Sequence, residues 1–143
     1  MLTQTQPIFR SKQNKLPGTN YKEVYKKAKE IYAPIERKTK RQPYLRSAYF
    51  KKRKIFFSLF WKHLFDQQPY DRARRLKYLA CAVDLIVTSK ILPSTKPNPN
   101  KKSELLHRFT GKSHEGSLFY VQIKEDTGKK RLNLISIFPE SKQ

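Results

Sequence analysis

One cysteine, four glycines and one methionine are all that 143 residues contain of those types, and 11 acidic residues stand against 32 Lys and Arg. Each shortage excludes something. A lone Cys81 leaves no internal disulfide and no multi-thiolate metal site. Flanked by Ala80, Ala82 and Val83, it reads as a small core residue and not as a nucleophile. The glycines follow neither the dinucleotide-binding nor the Walker-type pattern, so glycine-rich phosphate cradles are excluded. No apolar run approaches the roughly 20 residues that span a bilayer. The first residues also lack the apolar centre of a secretory signal. The expectation is a soluble, cytoplasmic chain with no membrane partner, no cofactor and no metal. No internal repeat is visible.

What is abundant is positive charge. The formal net charge is +21. A charge so far from zero repels itself unless a polyanion relieves it, and a nucleic acid is the foremost such partner. The charge is uneven. Residues 1–54 carry 16 Lys and Arg against 3 Asp and Glu, a balance of +13, whereas residues 55–143 balance at +8. Hydrophobic residues make up 37% of the chain, enough for one modest core.

The pattern divides the chain into a mobile basic tail over 1–20, a basic helical arm and connector over 21–43, and one folded domain over 44–140. The tail holds too little apolar matter to offset its ordering entropy. Asn20 can cap a helix, with Glu23 three residues on, and Val24, Ala28, Ile31 and Tyr32 form its apolar stripe before Pro34 ends it. The basic run 37–54, interleaved with Tyr44, Tyr49 and Phe50, suits either a backbone-tracking groove with stacked bases or a solvated connector docked by its aromatics.

A short strand is predicted over 55–58, then a helix through Phe60, Trp61, Leu64 and Phe65. A single longer helix follows from Pro69 to Ser89, with Ala73, Leu76, Leu79, Ala80, Val83, Ile86 and Val87 on one face. The proline-rich segment 93–102 reads as a loop. Three alternating runs, 105–110, 118–124 and 132–138, then read as an antiparallel meander. Helices followed by such a meander give an α+β fold with helices on one face of the sheet.

Alternation sorts the strand residues into two faces. Phe119, Val121, Ile123, Ile135 and Ile137 are assigned to the core, as are Leu105, His107 and Phe109. Arg108, Thr110, Gln122, Lys124 and Ser136 then share the open face, where cations, an amide and hydroxyls can bind a phosphodiester without a metal. His63 is the candidate proton-transfer group, since an imidazole titrates near neutrality; its structural alternative is a satisfied packing group. Arg72 and Arg75 need an anion, either a phosphate or the carboxylate of Asp66 or Asp71. Tyr49 is a candidate stacking contact.

The succession of residues 56–64 (FFSLFWKHL), 71–77 (DRARRLK), 106–109 (LHRF) with Gly111, 118–124 (LFYVQIK) and 135–139 (ISIFP) resembles the phage-type nucleases of the barnase/EndoU/colicin/RelE superfamily. The resemblance covers roughly residues 44–140. It implies a barnase/RelE-like α+β fold and a metal-independent ribonuclease site, with His63, Arg72 or Arg75, Arg108 and Ser136 at active-site positions and no obvious second histidine. The expected function is that of an endoribonuclease acting through the 2′-hydroxyl, with RNA as the principal partner and an inhibitor protein as a further one. The alternatives are a non-catalytic basic nucleic-acid-binding protein and a degenerate nuclease domain of a phage or mobile element.

Overall fold

A computed structural model of the chain describes residues 7–140. The described residues form an α+β fold of four helices and a curled, mixed sheet. The first six residues of the predicted tail lie outside the described residues, as do the final three of the chain.

In chain order the elements are β1 (Ile8–Arg10), α1 (Tyr21–Lys38), β2 (Tyr44–Arg46), β3 (Lys54–Phe56), α2 (Ser58–Phe65), α3 (Pro69–Leu76), α4 (Leu79–Thr88), β4 (Ser94–Asn98), β5 (Lys101–Lys112), β6 (Leu118–Asp126) and β7 (Arg131–Pro139). The predicted meander is the centre of the sheet, β5-β6-β7, antiparallel throughout. N-terminal strands complete it in the other sense. β1 runs parallel to the end of β5, and β3 runs parallel to the start of β7 with β2 outside it. The sheet is therefore mixed, not purely antiparallel.

Residues 7–20 are docked, contrary to the mobile tail that their composition suggests. Backbone bonds supply what the composition lacks. β1 shares one edge of β5 with β4, taking Thr110 to Lys112 while β4 takes the residues before. Beyond β1, Ser11 Oγ donates to Asp84 at 2.7 Å, and Leu16 N–H donates to the Lys77 carbonyl at 2.8 Å.

The arm is likewise part of the core. Asn20 caps α1 by accepting from Glu23 N–H at 3.0 Å, as read from the sequence, and Val24, Ala28, Tyr32 and Ile35 are buried. The helix continues through Pro34 to Lys38. Pro34 and Glu30, whose carbonyl loses its N–H partner to the proline, are both exposed residues, while Tyr32 and Ile35 on either side of the proline are buried in the core.

The helix predicted over 69–89 is two helices. Arg75 O accepts from Tyr78 N–H, tightening the last turn of α3, and the Lys77 carbonyl accepts from Leu16 N–H instead of continuing a helical ladder. Tyr78 then stacks on Phe119 at 5.4 Å between centroids. Segment 93–102 contains a strand where proline content suggests a loop. β4 lies at the sheet edge, where Pro97 needs no ladder N–H, and its register shifts there.

Candidate active site

β7 departs from strict alternation at one residue. Gln122 faces Ser136 and Ile123 faces Leu134, which leaves Ile135 as the extra residue of a β-bulge. Leu134 is thereby fully buried and Ile135 only half-buried, the reverse of the predicted phase, while Ile137 is in the core as expected. The bulge also turns the Ile135 carbonyl toward α2, which packs on β7 where β3 no longer pairs.

His63 sits on α2 with Nδ1 at 3.2 Å from the Ile135 oxygen. A carbonyl only accepts, so Nδ1 carries the proton and the neutral ring keeps its lone pair on Nε2. The histidine is exposed. A small cleft of about 10 Å³ brings it together with Arg75 and Ser136, between Phe60, Leu64 and Ile137.

Arg75 projects from α3 into this cleft. Its Nη1 donates to Ser136 Oγ at 2.9 Å and its Nε to Asp71 Oδ2 at 3.1 Å, one helical turn back. Asp71 also pairs with Arg74 at 3.2 Å. With its oxygen accepting from Arg75, the Ser136 hydroxyl has its own proton to donate. Its position in the sheet extends the site. Ser136, Gln122 and Arg108 are consecutive partners across β7, β6 and β5, one cross-strand row on the open face. Two guanidinium groups contact one ring, since Arg75 and Arg108 lie 5.8 and 5.5 Å from the Phe138 centroid, and Arg108 is also 5.8 Å from that of Tyr120.

Of the residues singled out by sequence, His63, Arg75 and Ser136 therefore converge, and Gln122 and Arg108 continue the row. α3 borders the site at the edge of β7 and does not lie across the sheet from it. Thr110 occupies the next row, buried between Ile8 and Tyr120. The other candidates are engaged elsewhere. Arg72 holds the end of α2, its Nε and Nη2 each donating at 2.7 Å to the carbonyls of Gln67 and Phe65. Of the two arginines, Arg75 and not Arg72 reaches Ser136. Lys124 pairs with Glu104 at 3.6 Å, beside Lys101 and Asn98. Tyr49 packs edge-on against Phe50 and Phe109 on the core side, because residue 109 belongs to the inward phase of β5.

Three participants were missed in the sequence. Phe138 and Tyr120 share the period-two phase of Ser136 and Gln122, so that signal was present. The Ile135 carbonyl was hidden because a bulge leaves no mark in an apolar run. His107 and Cys81 are buried away from this cluster. His107 is buried, with Nδ1 at 2.8 Å from Thr95 Oγ1 and Nε2 at 2.9 Å from Glu125 Oε1. Arg53 reaches the other Glu125 oxygen at 3.2 Å. Burial pushes the Glu125 carboxyl up, but the bonds from His107 and Arg53 outweigh it and hold it below the usual range. Burial raises the Cys81 thiol to about 11, in keeping with a packing role.

Among the described residues no grouping of three His, Cys, Asp or Glu could hold a metal ion, and no helix is long and apolar enough to cross a membrane. No family model, curated protein or solved structure matches the chain.

Proposed function

We propose that the protein is a metal-independent endoribonuclease of the barnase/EndoU/colicin/RelE kind, cleaving RNA by attack of a ribose 2′-oxygen on the adjacent phosphate. The observation that carries this reading is the meeting of His63, Arg75 and Ser136 at the bulged edge of β7. In this reading His63 Nε2 takes the 2′-hydroxyl proton, and the bond from Nδ1 to the Ile135 carbonyl, which leaves the Nε2 lone pair free, supports that role. Arg75 and Arg108 offset the charge that develops on the phosphorane oxygens. The Ser136 hydroxyl and Gln122 amide orient the phosphate in the same row. The 2′-oxygen forms a bond to phosphorus as the bond to the 5′-oxygen breaks, leaving a 2′,3′-cyclic phosphate and a free 5′-hydroxyl. The departing oxygen takes its proton from the histidine or from water.

A non-catalytic nucleic-acid-binding role is the second reading. It is favoured by the small volume of the cleft and by the Asp71 carboxylate that already partners Arg75. Incubating the purified protein with end-labelled RNA in EDTA separates the two. Cyclic-phosphate products are expected from the nuclease, and retention of intact RNA in a salt-sensitive complex from the binding protein.

A further inference from the structure

The outer side of β2 and β3 carries a groove of about 630 Å³ that the site above does not use. Its walls hold five cations, Lys38, Lys40, Arg41, Lys54 and Arg131, and no carboxylate. Among the described residues none of the five makes an ion pair. Cations crowded in a concave surface without counter-charge raise the local concentration of any polyanion.

The groove is also aromatic. Tyr44 and Phe56 are register partners across the two strands, with ring centroids 5.8 Å apart. Lys54 stands 4.7 Å over Tyr44, and the Arg131 guanidinium lies 3.9 Å over Phe56 while donating to the Gln42 side chain. Cations resting on rings are already positioned, so binding an anion there orders little that is free.

We infer that this groove binds single-stranded nucleic acid, with phosphates on Lys40, Arg41, Lys54 and Arg131 and an unpaired base stacked at Tyr44 and Phe56. Rings and cations side by side suit a chain that alternates π-faces with phosphates. A duplex offers the phosphates but keeps its base faces stacked inside. The groove also adjoins the open-face row. Phe56 pairs with Asn133, three residues before Ser136 on β7, about 10 Å at the usual rise of a strand. Binding in the groove does not depend on cleavage at His63.

The test is fluorescence anisotropy of the full chain with a labelled ten-nucleotide 2′-O-methyl oligouridine, which has no free 2′-hydroxyl and so reports binding alone. The exposed-residue variant Lys40→Ala/Arg41→Ala/Lys54→Ala is expected to bind at least about tenfold more weakly at low salt. Its slope of log affinity against log salt should be shallower by about 2, at roughly 0.7 per phosphate contact. Tyr44→Leu, with an unchanged circular dichroism spectrum, should weaken the single strand roughly 5- to 100-fold and leave a DNA duplex of equal length nearly unaffected. Undiminished affinity and slope in the triple variant would overturn the proposal. So would equal losses for duplex, heparin and single strand in Tyr44→Leu, which would reduce the groove to an unselective polyanion patch.

Discussion

His63, on α2, and His107, on β5, are held in opposite ways. His63 has one bond, to a bulge carbonyl, and an exposed ring; His107 is buried with both nitrogens engaged. Substitution should separate them. His63→Ala is expected to leave folding and RNA affinity intact and to lower the cleavage rate roughly 10²- to 10⁴-fold, with one limb of the pH profile lost. His107→Ala should cost about 1–3 kcal/mol in urea unfolding, because it strips a buried donor from Glu125 and opens a void beside Phe50. Ser136→Ala tests the third member of the cluster. It should reduce the rate on the order of 10²-fold through loss of an oriented donor. The lowered Glu125 carboxyl also has a pH consequence. A carboxyl that ionises more readily in the folded than in the unfolded state stabilises the fold above the unfolded carboxylate range and loses that contribution as pH falls through the folded value. Unfolding measured between about pH 5 and about pH 3 should therefore be less pH-dependent in Glu125→Gln than in the parent.

At the level of elements, the strands that pack one face on the core were legible and the interruptions were not. Phe119, Val121 and Ile123 alternate with polar residues and are all buried; Ile55 and Ile137 follow the same rule. The alternation failed at Ile135, since Leu134, Ile135 and Ile137 are equally apolar and the bulge selects among them by geometry. Helix content was similarly legible as a stripe, but the break at Lys77 and Tyr78 depends on tertiary partners, Leu16 and Phe119, that lie far away in sequence. β1 is the clearest case. Three residues with no periodicity to read become a strand because the end of β5 offers them an unpaired edge. That edge has a steric requirement. A Cβ at Gly111 would lie 2.4 Å from the Phe119 ring, which is itself fixed against Tyr78. Gly111→Ala is expected to destabilise the protein by about 1–3 kcal/mol, read as a lower urea midpoint with an unchanged slope.

Across the whole molecule, composition pointed to one core but misplaced its boundary. Val24, Ala28, Tyr32 and Ile35 of the basic arm share the cluster formed by Phe57, Leu79 and Phe119, so positive charge and core packing reside in the same helix. Deleting residues 1–40 should therefore unfold the protein, as circular dichroism would register, and not merely flatten the salt dependence of binding. Of the candidate cluster, Arg108, Gln122 and Ser136 were legible because residue chemistry and strand phase coincide there, whereas His63 and Arg75, on helices, were legible from residue chemistry alone. Arg72, Lys124 and Tyr49 were misplaced for one shared reason: each has a nearer partner that only the fold supplies. The claim on which the account turns is that a ribose 2′-oxygen is the nucleophile and His63 its proton acceptor. It is tested most directly with an end-labelled oligodeoxynucleotide containing a single ribonucleotide, incubated in EDTA with the parent protein and with His63→Ala. The account predicts a single cut on the 3′ side of that ribose, ending in a 2′,3′-cyclic phosphate, made by the parent and nearly absent with the variant. Cutting at deoxyribose positions, equal cutting by the two proteins, or no cutting by the parent would contradict it.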